Sequence, residues 1–396
     1  MTILAIGAIL LGCLATVLLA MAAILLVEVA ASFGPARRLS QTVLGPYRLA
    51  VVVPAHNEAL VIGAPLASVA SQLSESDRLV VVADNCTDET GRIAESAGAQ
   101  VLYRTDTERR GKSYALDFAI RHLAADPPDA VIFVDADCIA APGSLRAIAE
   151  VCLSRQRPVQ ARYDLDVPAA EPSDGLKVAS FAWTVKNHLR PLGLNRLGLP
   201  CQLMGTGMAF PWDVISKANL NTGEIVEDLA LGLELAAAGK APIFFPDALV
   251  TSQFPVSREG QQTQRARWET GHLRMIWRRT PRLLLLGILR GNRDLIALAA
   301  DASIPPLTLL CLSIGVTLPT ACILAVLGGS LLPLGISLAA AGALTLSVGL
   351  AARQLPRNTR SINVLGLIIG YAASKFAIYA GAVTGKRIEW VRSKRD

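Results

Sequence analysis

Four short stretches carry acids or amides at spacings suited to chemistry on a phosphorylated ligand. Pro54-Ala55-His56-Asn57-Glu58 ends one apolar run, Asp84-Asn85-Cys86-Thr87-Asp88 ends a second, and Asp135-Ala136-Asp137 ends a third. Further on, Val226-Glu227-Asp228 sets two acids side by side at the head of an apolar helical pattern. Asp135 and Asp137 leave the run Val131-Ile132-Phe133-Val134 one residue apart. Two carboxylates so placed can hold a hard divalent cation, Mg2+ or Mn2+, between protein and phosphate oxygens. A D-x-D pair is common by chance; here it emerges from a buried strand rather than a solvated loop. Each acidic stretch alone has a simpler reading. Asn57, Thr87 or Asp88 could cap the helix that follows, and Glu227 and Asp228 could serve the dipole of helix 229–238.

Elements that would position these groups follow from the pattern. Strands are predicted at Leu49–Val53, Leu79–Ala83, Val101–Tyr103 and Ala130–Val134. Helices are predicted between them at Ala59–Leu73, Thr87–Ala97 and Lys112–Leu123. Continuous Val/Ile/Leu runs alternating with helices indicate a parallel sheet buried on both faces. Ligands of such α/β sheets bind beyond the carboxyl ends of the strands, which is where the polar stretches fall.

Charge is unevenly spread. Only 18% of the 396 residues are charged and 52% are hydrophobic, against about a quarter charged in soluble domains. Residues 2–27 and 302–352 carry no charge at all. Disorder, a collagen and a disulfide-stapled miniprotein are excluded, and so is a fully soluble protein, since about 20 apolar residues span a bilayer. Residues 1–30 read as a retained transmembrane helix, 31–47 as a linker and 48–280 as a globular domain. Residues 281–300 read as one interfacial amphipathic helix, and 301–352 as two spans turning near Gly328-Gly329-Ser330. Residues 353–396 read as a basic loop, an interfacial segment at Ile362–Gly385 and a basic tail, with a fourth span as the alternative. Arg37, Arg38 and Arg48 after the first span, and Arg353, Arg357 and Arg360 after the third, put the domain in the cytoplasm of a multi-pass plasma (inner) membrane protein.

The formal net charge of +6 is concentrated near membrane segments, as at Arg274, Arg278, Arg279 and Arg282. It points to anionic lipid rather than nucleic acid. The seven cysteines form no C-x-x-C pair and the four histidines are scattered, so buried thiols are expected rather than zinc.

Across residues 48–280 the motifs resemble, in order, those of membrane-bound glycosyltransferase family two, in particular the cellulose, hyaluronan and poly-N-acetylglucosamine synthases. The resemblance implies a GT-A (Rossmann-like) α/β fold, a UDP-sugar donor, Mg2+ or Mn2+, and transfer of a hexose with inversion. It implies nucleotide-sugar contacts by Pro54, Ala55, Asn57, Glu58, Asp84, Lys112 of Arg110-Gly111-Lys112, Asp135 and Ala136, and metal ligation by Asp137 and Asp135. Val226-Glu227-Asp228 resembles the family's T-E-D motif, with Asp228 as general base beside Glu227. Gly205-Thr206-Gly207 resembles the acceptor loop. Gln264-Arg265-Ala266-Arg267-Trp268 resembles Q-x-x-R-W, implying donor contacts by Gln264, Arg265 and Arg267 and a sugar platform at Trp268. The expected acceptor is a polysaccharide or a lipid-linked glycan in envelope assembly, with partner subunits or a homo-oligomer completing any pore. Transfer to polyprenyl phosphate and a silent nucleotide-sugar sensor are the alternatives.

Overall fold

A computed structural model describes residues 3–35, 45–168, 173–224, 226–255 and 258–354, without the side chains of 3, 258, 259, 261–263 and 265. The expectations for 355–396, including a fourth membrane segment, fall outside the described residues, as does most of the 31–47 linker.

The chain enters through α1 (Ile3–Ala31) and then builds a mixed sheet. Its first half runs β1 (Leu49–Ala55), α2 (Gly63–Ala70), β2 (Arg78–Asp84), α3 (Thr90–Ser96), β3 (Gln100–Arg104), α4 (Lys112–Leu123) and β4 (Ala130–Phe133). The second half runs β5 (Ile139–Ala140), α5 (Ser144–Arg155), β6 (Val159–Asp166), α6 (Asp174–Thr184), a π turn over Val185–Leu189 and α7 (Arg190–Arg196). It continues through β7 (Met208–Pro211), α8 (Trp212–Ile215), α9 (Glu227–Ala237), β8 (Ile243–Gln253) and α10 (Arg258–Arg278). Four more helices follow: α11 (Thr280–Arg290), α12 (Arg293–Ala302), α13 (Leu307–Val326) and α14 (Leu332–Arg353).

Strand order is β3-β2-β1-β4-β7-β6-β8-β5. The strands β3, β2, β1 and β4 are mutually parallel, with Val51 opposite Leu79 on one side and Ile132 on the other. Both faces of β1 and β4 are covered, which is why those two strands are apolar at every position. Leu49, Val51 and Val53 meet Ile62, Leu66 and Val69 of the α2 segment, while Ala50 and Val52 meet Ala115, Leu116 and Ala119 of α4. These four strands form the parallel sheet expected of them, and beyond them the sheet becomes mixed. The strand β7 runs against β4 and β6, and β5 runs against β8. Short strands such as Met208–Pro211 carry too few residues to signal direction in their pattern.

Residues 281–300 are likewise not one helix. Gly291 adopts φ 62°, closing α11, and the Asn292 side chain caps α12 by accepting from the Leu295 N–H at 3.0 Å. Only α11 keeps an exposed apolar edge, at Leu285, Ile288 and Leu289. By contrast, α12 buries Leu295, Leu298 and Ala299 against α9.

Among the described residues three helices are long and apolar enough to cross a membrane: Leu4–Ala31, Leu307–Val326 and Leu332–Arg353. Leu18, Ala22, Leu25 and Val29 of α1 share a core with Leu310 and Ile314 of α13 and with Leu344 and Val348 of α14. Val178, Phe181 and Leu189 join the same cluster, so the bundle continues into the domain without a break. A buried ionic group fastens that junction. The Arg190 Nε donates to Glu28 Oε2 at 2.8 Å, its Nη2 pairs with Asp301, and Gln202 Nε2 donates to Asp301 Oδ2 at 2.6 Å. Beside it α7 touches α1 so closely that a Cβ on Gly193 would lie 1.8 Å from the Glu28 carbonyl oxygen.

Removing one member of a buried ion group strands the others, at a cost of roughly 3–5 kcal/mol. Arg190→Met should therefore lower the melting temperature of the detergent-solubilised chain by roughly 10 °C. Gly193→Ala should act in the same direction by forcing α7 off α1. Variants melting within a degree or two of the parent would show that the junction is held by other contacts.

Candidate active site

Three loops at the carboxyl edge of the sheet and two from the second half of the domain converge on one cleft. The first two are shaped by asparagines in the left-handed region, Asn57 at φ 55° and Asn85 at φ 52°, a conformation Asn tolerates better than most residues. Asn57 Oδ1 accepts from the Thr87 N–H at 2.7 Å, and Asn85 Oδ1 accepts from the Asp106 N–H at 2.8 Å. His56 Nδ1 lies 2.7 Å from the Asp84 carbonyl oxygen. These loops frame a cavity bordered by His56, Asn57, Asp84, Thr87, Arg110 and Gly111.

Asp84 is more enclosed than a simple ligand contact would need. Its carboxylate is buried and pairs with Arg104 at 2.6 Å, an interaction that links β2 to β3. Burial raises its pKa even against that arginine. Pro54 and Ala55 lie within the strand edge, with Ala55 buried, and the Glu58 N–H donates to Thr90 Oγ1 at 2.8 Å. These residues shape the loop.

A second cavity adjoins the first, and Arg110 and Gly111 line both. Around it stand Asp135, Asp137, Gly205, Glu227, Asp228 and Lys112. Lys112 opens α4, pairs with Asp135, donates to the Gly205 carbonyl at 2.9 Å and sits 3.9 Å from Glu227. Gly205 has φ 90°, and a Cβ there would lie 3.4 Å from Lys112 Nζ and 3.5 Å from Asp228 Oδ2. The positive φ favours glycine there, while a Cβ would make only ordinary contacts with those two side chains. Asp228 Oδ1 accepts from the Leu229 N–H at 2.8 Å, so Asp228 stabilises the start of α9 as well as facing the cleft.

Electrostatics in the cleft are strained by an excess of acids. Burial raises Glu227 to about 7, with Lys112 opposing and the Asp228 charge reinforcing the shift. Burial likewise raises Asp228. For Lys112, burial alone would lower the pKa, but Asp135, Glu227 and Asp228 together hold it well above its ordinary value. Lys112 thus faces four carboxylates, counting Asp137, and Lys186 adds a second positive charge near Asp228. A divalent cation fits that surplus.

Asp135, Asp137 and Cys138 bring ligand atoms within 4.8 Å of one another. Cys138 is buried, and burial pushes its thiol pKa well up, leaving the two carboxylates as the anionic donors. An oxygen donor set suits Mg2+ or Mn2+. Ser252 Oγ donates to Asp137 Oδ2 at 2.6 Å, and the Asp135 N–H donates to Thr206 Oγ1 at 3.1 Å, so both acids are oriented from behind. Ala136, between them, is buried.

Of the expected acceptor loop, only Gly205 opens onto the cleft. Thr206 is fully buried under Asp135, and Gly207, at φ 63°, packs against Val250 and Ala161. That is a correction for Thr206 and Gly207: their interior position at the start of β7 assigns them to the frame. Gln264, Arg267 and Trp268 line the cleft from α10; the Arg265 side chain lies outside the described residues. The ring of Trp268 sits 5.2 Å from that of Trp183, whose Nε1 donates to the Tyr163 carbonyl at 3.1 Å.

Several residues of the site give little sequence signal. Gln160 is fully buried on β6. It accepts from the Met204 N–H at 2.8 Å and donates to the Thr206 carbonyl at 2.8 Å, fixing the loop before Gly205. A glutamine inside Pro158-Val159-Gln160-Ala161 is its only trace. Lys186, Trp183 and His272 also line the cleft; no motif marks Lys186 or Trp183, and His272 lies one turn beyond the Gln264–Trp268 motif on α10.

With this geometry in hand, relatives become informative. The family pattern described as "Glycosyltransferase like family 2" matches residues 46–271, more than half the chain. The chain belongs to glycosyltransferase family 2. The fold resembles that of a mannosyltransferase from Pyrobaculum calidifontis solved with GDP-Man and Mn2+, at TM-score 0.57 and 19% identity, covering 92% of this chain and 98% of that one. The domain therefore has the GT-A-like architecture, with long apolar helices before and after it. The 4,4'-diaponeurosporenoate glycosyltransferase of Staphylococcus aureus (strain USA300) is 38% identical over 92 residues, which are 22% of this chain. The match spans 24% of the length of that curated relative. Neither likeness singles out the polysaccharide synthases within the family.

Two measurements test the site. Asp137→Ala should weaken Mn2+ binding at least tenfold in calorimetry; unchanged affinity would remove Asp137 from the metal centre. His272 is buried, lies with Nε2 3.0 Å from the Ala302 carbonyl, and is held down to about 3 from 6.5 by burial. The folded chain then binds fewer protons here than the unfolded one. This contribution is full above pH about 6.5 and falls progressively toward pH about 3, reaching about 2 kcal/mol of loss at pH 5. His272→Gln should flatten the acid limb of a melting-temperature profile, and an unaltered slope would assign acid sensitivity elsewhere.

Proposed function

We propose that the chain transfers a hexose from a nucleoside-diphosphate sugar to an acceptor hydroxyl at the cytoplasmic face of the plasma membrane. The observation that carries this reading is the single cleft shared by Asp135, Asp137, Lys112, Glu227 and Asp228, contiguous with the cavity at Asp84. UDP is the nucleotide that the sequence resemblance implies, and glucose or N-acetylglucosamine the sugar. The base and ribose would occupy the cavity at His56–Asp84, with the diphosphate near the amino end of α4, where backbone N–H groups favour anions. Asp135 and Asp137 would hold Mg2+ or Mn2+, which when bound supplies positive charge opposite the diphosphate.

Lys112 adds a fixed ammonium on the same side, and Arg267 lies across the cleft. Asp228 takes the proton of the acceptor hydroxyl. The acceptor oxygen forms its bond to the anomeric carbon, the bond from that carbon to the diphosphate breaks, and the nucleoside diphosphate leaves with the electron pair. Attack opposite the leaving group inverts the centre. A positioned base of this kind contributes ~10²–10⁴-fold. Glu227, with its pKa near 7, sits close enough to Lys112 to hold the ammonium in place. Orientation of the membrane helices follows from Arg48 and Arg353 at their domain ends, and the products would be envelope or surface glycans.

Membranes containing the chain should incorporate label from UDP-glucose, UDP-N-acetylglucosamine or GDP-mannose only with Mg2+ or Mn2+ present. Asp228→Asn should reduce transfer by ~10²-fold or more while nucleotide affinity stays within twofold. Full turnover by that variant would take the base role away from Asp228.

A further inference from the structure

The π turn over Val185–Leu189 presents its side chains to two different surroundings. The Arg190 N–H donates to the Val185 carbonyl, the wide bonding of a π insertion, a device frequent at functional sites. Val185 and Leu189 join the core shared with the long apolar helices. Asn187, midway between them in the chain, lies about half a turn from both and borders the catalytic cleft instead.

The side chain of Asn187 is unusual among those on the cleft wall. The residue is 3% exposed, and its amide Nδ2 has no hydrogen-bond partner among the described residues. Three other polar groups bordering the cleft are engaged by protein. Gln202 Nε2 donates to Asp301 Oδ2 at 2.6 Å, His272 Nε2 lies 3.0 Å from the Ala302 carbonyl, and Trp183 Nε1 donates to the Tyr163 carbonyl at 3.1 Å. A buried donor left unpaired is costly, so Nδ2 adds nothing to the stability of the fold. A leucine of nearly the same shape would suit that interior better.

The place of Asn187 along the cleft decides which ligand it meets. At one end the cleft joins the cavity at His56–Asp84, where Arg110 and Gly111 line both. At the other end Trp183, Lys186, Trp268 and His272 line both the cleft and a space beside Leu25 of α1 and Leu307 of α13. Asn187 adjoins Lys186 in the chain and stands one helical turn from Trp183, so it belongs to this second end. Attack opposite the leaving group requires the acceptor to approach from the end away from the nucleotide.

We propose that Asn187 holds the acceptor: its Nδ2 donates to an oxygen of the acceptor sugar and turns the attacking hydroxyl toward Asp228. The occupant is a sugar ring. Its hydroxyl or acetamido oxygens supply the lone pair that the amide lacks, and its apolar face suits the neighbouring rings of Trp183 and Trp268. This inference rests on the transfer reaction proposed above and names a contact that selects its acceptor.

The test uses Asn187→Leu and Asn187→Asp in the full chain. Purified in detergent, the leucine variant should melt at or above the parent temperature, because it removes an unpaired donor. With Mn2+ present, both variants should bind UDP and GDP within about twofold of the parent. The same should hold for whichever of UDP-glucose, UDP-N-acetylglucosamine and GDP-mannose the parent uses. Transfer of label to the membrane acceptor should fall roughly tenfold or more in both variants, since neither side chain offers the amide hydrogen. Transfer within about twofold of the parent by either variant would overturn the proposal. Melting of the leucine variant several degrees below the parent would do so too, by making Asn187 a structural residue. Weakened binding of the sugar nucleotide but not of the bare nucleotide would place the contact on the donor sugar and likewise overturn it. A parent chain that binds nucleotide but moves none of the three sugars would instead sink the transfer reaction itself.

Discussion

A single ammonium holds the reaction centre together. Lys112 reaches from the start of α4 to the end of β4 at Asp135, to the backbone of Gly205 and toward Glu227 at the start of α9. Four segments far apart in the chain are thereby fixed around one point. Their acids are crowded because the strand ends and the α9 amino terminus have nowhere else to go. Fixed charges in a partly dehydrated cleft act strongly on charge that develops during reaction. The surplus of acids over cations makes the cleft receptive to a metal-bound diphosphate and inhospitable to a bare anion.

Much of this was legible in the sequence for a physical reason. Strands buried on both faces are apolar throughout, so Leu49–Val53, Leu79–Ala83 and Ala130–Val134 declare themselves, and the first polar residue after each marks the ligand edge. The D-x-D pair and the Glu227-Asp228 pair were found because carboxylates at strand and helix ends are conspicuous against apolar runs. Direction of the later strands was not legible: β7 has four residues, and its antiparallel course is set by partners on both sides. The roles of Thr206 and Gly207 were misread because a glycine-flanked threonine looks the same in a ligand loop and beneath one.

What the sequence concealed lies mostly at the junction with the membrane helices. Glu28 and Asp301 sit at the ends of apolar runs and look like ordinary boundary charges; only the fold brings them onto Arg190. Lys186 has no motif, since its meaning depends on which space its side chain faces. Interfacial character at 281–300 was read as continuous because arginines and leucines alternate there. The break at Gly291 divides the segment into α11, with its exposed leucines, and α12, which belongs to the domain's underside.

The close seat of Gly193 on the Glu28 carbonyl ties the catalytic domain to the first apolar helix. Because two backbones meet there with no side chain between them, a shift of either helix is passed directly to the other.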